Sequence, residues 1–90
     1  MAGNKTRDGI KISKLLKFLG NIDSVEIRPG NNHPFVARSS ENTLSCPIAS
    51  STDARRMVVP WIAETIGYHN SNAIYNALRS GSWPPVGYAV

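Results

Sequence analysis

The apolar residues of this chain change their spacing twice, and that switch restricts the folds open to it. Ile10, Ile12, Leu15, Leu16, Phe18 and Leu19 recur at the interval of one helix face, with Lys11, Lys14 and Lys17 on another. From Val25 the interval drops to two. Val25 and Ile27 flank Glu26, Phe35 to Arg38 reads as a second strand, and Thr43 to Ile48 as a third. Pro29-Gly30-Asn31-Asn32 and Ser39-Ser40-Glu41-Asn42 are turns by composition, since Gly and Asn accept positive φ readily. Strands joined by turns this short pair antiparallel. Pro47 lacks a ladder donor, which places the third strand at an edge or puts Pro47 near its end.

Helical spacing returns after Ser50-Ser51-Thr52-Asp53, a helix-start signal. Pro60 disfavours helical geometry at Val59 and suits a first helical position, so the sequence predicts a break at Val59 or a kink. Trp61, Ile62 and Ile66 form the core-facing side beyond it, and Gly67 closes the helix. Asn70 or Ser71 then caps a last helix with Ala73, Ile74, Ala77 and Leu78 on its apolar side, ended by Gly81. The expected fold is α+β. It has the order α-β-β-β-α, a three-stranded antiparallel sheet packed on helices, and an extra C-terminal helix. Residues 1–8 are expected to be a flexible N-terminus and 9–81 a single domain. In the 82–90 tail, Trp83 and Tyr88 favour packing back on the body or on a partner.

Ninety residues suit one small core. Ten Lys and Arg against six Asp and Glu give a net charge of +4, which favours a polyanionic partner, most simply nucleic acid. Cys46 is the single cysteine, so no intrachain disulfide forms, and its apolar neighbours Leu44 and Ile48 mark it as a small buried side chain. No phosphate-binding glycine loop or metal-ligand set is present, so no cofactor is expected. No apolar run approaches the roughly 20 residues of a membrane span. The basic start lacks the apolar core of a secretory signal. A reducing cytoplasm is the expected compartment.

One motif carries more chemistry than the rest. Gly30-Asn31-Asn32-His33-Pro34-Phe35 places one of the two histidines in a turn directly ahead of a strand. This stretch resembles the Gly-Ser-His-His-x-Phe pattern of the HicA toxins, which share an α-β-β-β-α fold with double-stranded RNA-binding domains. The flanks agree in order: Leu15-Leu16 on a first helix, a strand ending near Arg28, Pro47 after the third strand, and Ile66-Gly67 closing a helix. The likeness covers about residues 9 to 68.

The resemblance implies a messenger-cleaving ribonuclease held in check by an antitoxin-like protein partner. The family's catalytic residue is the first histidine of the motif, and here that position is Asn32, with His33 on the second. An amide cannot take up or supply a proton near neutral pH, as a base in RNA cleavage must. Endoribonuclease activity therefore requires His33 to replace the family's catalytic histidine, with Arg28 and Arg38 supporting the phosphate. Without that, the fold serves RNA binding through Lys11, Lys14, Arg28, Asn31, Asn32 and Arg38.

A second constellation supplies the alternative, a DNA-binding transcriptional regulator. Residues 61–81 resemble a helix-turn-helix, and Gly67-Tyr68-x-x-Ser71-x-Ala73-Ile74 is similar to the recognition-helix region of several bacterial transcription regulators. His69, Asn70, Asn72, Tyr75, Asn76 and Arg79 would then face a groove, Asn and Arg reading base edges by paired hydrogen bonds. Arg55 and Arg56 near a helix start oppose the helix dipole and are free to meet an anion.

Overall fold

The computed structural model describes residues 4–30 and 34–88. Helix α1 (Ile12–Leu19) is followed by strands β1 (Val25–Arg28), β2 (Phe35–Ser39) and β3 (Asn42–Ile48). A π-helical turn (Ala54–Val58) runs into α2 (Val59–Ile66), and α3 (Ser71–Ser80) closes the order. The sheet is antiparallel in the order β1-β2-β3. The α+β fold read from the apolar spacing is therefore the one observed, with its extra C-terminal helix.

Strand alternation divides the sheet into two faces. Val25, Ile27, Phe35, Ala37, Cys46 and Ile48 share the inner face, where α1, α2 and α3 bury Leu15, Phe18, Ile62, Ile74 and Leu78 against them. Glu26, Arg28, Val36, Arg38 and Pro47 share the outer face, which no helix covers. Pro47 sits on β3, an edge strand, where its missing N–H is tolerated.

Between Ala37 and Ser39 the ladder bulges, since Ala37 faces Cys46 while Ser39 faces Asn42. The bulge turns Asn42 toward α2. Its Nδ2 donates to the Trp61 carbonyl and to Thr65 Oγ1, both at 3.3 Å, and its Oδ1 accepts from the Leu44 N–H at 3.0 Å. Trp61 Nε1 in turn donates to the Leu44 carbonyl at 2.7 Å. Sheet and helix are thus joined by polar contacts as well as by the core.

At Val59 the sequence predicts a break or a kink, and the structure shows neither a gap nor a restart. Val59 is αR, with φ −59° and ψ −48°, and the helix runs through Pro60. In an α-helix a proline ring collides with the carbonyl four residues back. Here the preceding turn is widened to π geometry, which relieves that collision and removes the need for a break. The helix ends at Gly67 in the left-handed region, φ 70°.

One further expectation is corrected. Helix α1 begins at Ile12, not Ile10, although Ile10 is buried. Residues 4–8 of the terminus expected to be flexible are described, and they make specific contacts. Residues 4–12 fold back as a small hairpin: Thr6 N–H donates to the Ile10 carbonyl at 2.8 Å, Ile12 N–H to the Asn4 carbonyl at 2.9 Å, and Lys5 pairs with Lys11. Thr6 is buried, and its hydroxyl donates to Asp8 Oδ1 at 2.7 Å.

Asp8 then reaches across 46 positions of sequence. Its Oδ1 accepts from the Ala54 N–H at 2.9 Å and its Oδ2 from the Arg55 N–H at 3.0 Å. It satisfies donors at a helix start that the helix itself cannot satisfy. The tail also packs back: Trp83 meets Phe18 edge-on at 5.2 Å, Pro85 is buried, and Tyr68 Oη donates to the Val86 carbonyl at 2.7 Å.

Partial burial alone would raise the Asp8 pKa, but hydrogen bonds from Thr6, Ala54 and Arg55 to the ionised form outweigh it and hold the group below the usual carboxylate range. A depressed folded-state pKa means that Asp8 stabilises the fold fully near neutral pH and loses that effect as acid carries the pH through the folded value. Asp8→Ala should therefore destabilise the protein by about 1 kcal/mol at neutral pH, as other capping losses do. Urea unfolding of both proteins checks this, and the difference between them should shrink in strong acid.

Candidate nucleic-acid interface

The N-terminal hairpin connects two helix starts. It enters α1 through Lys11 and meets the helix at Ala54 through Asp8, while Arg7 N–H donates to the Thr52 carbonyl at 2.8 Å. Lys5, Arg7, Lys11, Arg55 and Arg56 are all exposed on these segments. Two carboxylates lie among them, both partly exposed and both accepting from backbone N–H groups. Asp8 holds Ala54 and Arg55, and Asp53 is the cap of its own helix, accepting from the Arg56 N–H at 3.2 Å. The acids are used as caps, and the cations face solvent.

Helix α3 continues this surface. Arg55 Nη2 donates to Asn72 Oδ1 at 2.8 Å, and its guanidinium lies 4.9 Å from the centre of the Tyr75 ring. This geometry combines a cation–π contact with a charge-assisted hydrogen bond. Partial burial raises the Tyr75 hydroxyl pKa, as do a hydrogen bond to Asp8 and its negative charge, while Arg79 and Arg55 pull the other way. Asn72, Asn76 and Arg79 are exposed at helical spacing on the same side, and α3 contains no Asp or Glu.

The structure brings Arg55 onto Asn72 and Tyr75, with Arg79 on the same side of α3, while Lys11 stands at the other end of the hairpin, beside Lys5. Two of the six residues expected to face a groove are engaged elsewhere. Asn70 caps α3, its Oδ1 accepting from the Ala73 N–H at 3.1 Å, and His69 Nε2 lies 3.5 Å from Glu64 Oε2.

The sheet arginines are not part of this surface. Arg28 and Arg38 lie on the outer face, across the core from Lys11 and Lys14. Arg28 is ion-paired to Glu26 on its own strand, and Glu26 is the register partner of Arg38. The hydrogen bond from Arg28, then its charge and that of Arg38, lower the Glu26 pKa. Lys14 is half-buried where α1 meets α3: a Cβ added at Gly81 would lie 3.2 Å from Lys14 Cβ, so glycine permits that approach. The set Lys11, Lys14, Arg28 and Arg38 is thus split by the core. Asn31, Asn32 and His33 lie outside the described residues.

Cys46 is buried, and burial pushes its thiol up to about 11, which suits packing and not nucleophilic chemistry. Among the described residues, no group of three His, Cys, Asp or Glu could hold a metal ion. No described helix is long and apolar enough to cross a membrane. Sequence reasoning missed Lys5, Thr6, Arg7 and Asp8, because the contact that orders them spans more than half the chain. No protein-family model matches this chain, and no curated protein or solved structure matches it either.

The Arg55–Tyr75 contact should be measurable in isolation. A double-mutant cycle with Arg55→Ala and Tyr75→Leu, read by urea unfolding, should return a coupling of roughly 0.5–1 kcal/mol, the range of exposed cation–π pairs.

Proposed function

We propose that this protein binds nucleic acid, with RNA the favoured form, through the end of the molecule where the N-terminal hairpin, the start of the helix at Ala54 and α3 meet. One observation carries the reading: the carboxylates of this region, Asp8 and Asp53, are turned onto backbone amides, while Lys5, Arg7, Lys11, Arg55 and Arg56 remain exposed. A polyanion arriving there meets five exposed cations against two carboxylates, and each phosphate it places releases counterions. Arg55 is already held by Asn72 and Tyr75, so it loses less side-chain freedom on binding. The resemblance of Gly30 to Phe35 to the HicA pattern supports RNA over other polyanions.

A second reading, duplex DNA, is favoured by α3 itself. Its exposed side offers Asn72, Asn76 and Arg79 with no carboxylate on the helix, the residue types that read base edges. On that reading, sequence-selective duplex binding is abolished by Asn72→Ala with Arg79→Ala.

Fluorescence anisotropy with a structured RNA tests the first reading. Affinity should fall steeply with salt, and Arg55→Glu with Arg56→Glu should weaken binding by at least roughly tenfold and flatten the salt slope. The pair Arg28→Glu and Arg38→Glu should change it far less. Equal effects from both pairs would move the interface off the helix starts. Since Asn32 stands where the resembled pattern has its catalytic histidine, binding is expected without strand cleavage. Cleavage by the wild type that disappears in His33→Ala would overturn that expectation.

A further inference from the structure

An open depression of about 480 Å³ lies between the N-terminal hairpin, the first turns of α1 and the start of β2. Its wall is apolar, supplied chiefly by Leu16 and Phe35, and its rim is polar, supplied by Asn4, Lys5, Lys11 and Ser13. Phe35 and Leu16 are only half-buried by the core. The backbone pairing of Lys5 with Lys11 brings both cationic side chains to one rim. Among the described residues no carboxylate lines the depression, and neither lysine is ion-paired to one.

Each part of this lining selects a different part of a ligand. The aromatic and aliphatic wall suits a flat ring. Two unopposed lysines suit a phosphate, which a lysine binds as a point charge. Asn4 and Ser13 are neutral hydrogen-bonding groups that suit a sugar or the edge of a base. The volume falls within the usual range of small-ligand sites, about 300–1,000 Å³.

We infer that this depression binds a nucleoside monophosphate unit, the base against Phe35 and Leu16 and the phosphate at Lys5 and Lys11. This rests on the nucleic-acid reading above and narrows it to one nucleotide, either the terminal nucleotide of an RNA or a free one. The site shares the hairpin with the interface at Arg55 but none of its α3 residues, so the two can be tested apart.

The test is an NMR titration of the isotope-labelled full chain with AMP, adenosine, and short single-stranded RNAs bearing a 5′-phosphate or a 5′-hydroxyl. AMP should shift the amide signals of Lys5, Lys11, Ser13 and Leu16, and adenosine should bind roughly tenfold more weakly or worse. Phe35→Leu, which keeps an apolar side chain on the sheet, should weaken AMP by about tenfold, as loss of a stacking partner does elsewhere. Lys5→Gln with Lys11→Gln should do the same, and an otherwise unchanged spectrum certifies the fold of each variant. Competition by the 5′-phosphorylated RNA identifies an RNA terminus as the source of the unit, and its absence identifies a free nucleotide. The inference is overturned if AMP and the phosphorylated RNA leave these signals unmoved, or if both variants bind AMP as the wild type does. Unmoved signals alongside RNA binding that still depends on Arg55 would remove this site alone. A normal AMP response without RNA affinity would remove the interface and leave a nucleotide site.

Discussion

A sheet of three short strands persists in water only if one face is kept dry, and the architecture of this protein follows from that requirement. The inner face is small, with Ala37 and Cys46 at its centre and Ile48, Ile27 and Val25 around them. Small residues let the helices approach closely, so Leu15, Phe18 and Ile62 are fully buried against a sheet that offers little bulk of its own. Three helices on that one side leave the other face to Glu26, Arg28 and Arg38, where one carboxylate serves two guanidinium groups. The remaining positive charge lies on the helices and the N-terminal hairpin.

Capping determines where it collects. The helix beginning at Ala54 has arginines in its first turn, where the dipole disfavours them, and two carboxylates offset that by accepting its backbone N–H groups. One arrangement therefore ties the N-terminal hairpin to the body and leaves the arginines facing outward.

Much of the fold was legible from local signals, and the exceptions share a cause. Apolar spacing located α1 and the three strands, and Asp53, Gly67, Asn70 and Gly81 marked helix ends by their own chemistry. What escaped was non-local. Asp8 looks like part of a polar terminus until its partners at Ala54 and Arg55 are known, and Ile10 fits the helical spacing of α1 though it is buried from a turn. Pro60 was read for its restriction of Val59 and its fit to a first helical position, and the widened turn before it is a solution that reading does not contain. The candidate site was half legible for the same reason: residue types on α3 were visible, but the placement of Arg55 over Tyr75 depends on how two helices pack. Arg28 and Arg38 were expected to support a phosphate, and the pairing of Glu26 opposite Arg38 depends on a strand register that the sequence does not display.

The bulge in β3 also governs assembly. An edge strand ordinarily presents a row of vacant backbone groups that another chain can zip onto. Here the Leu44 N–H is taken by Asn42 and its carbonyl by the Trp61 indole, while Pro47 has no N–H to give. An incoming strand would find its hydrogen-bonding partners already engaged near the middle of the edge. The contacts that fasten α2 to the sheet thus also occupy the middle of the β3 edge.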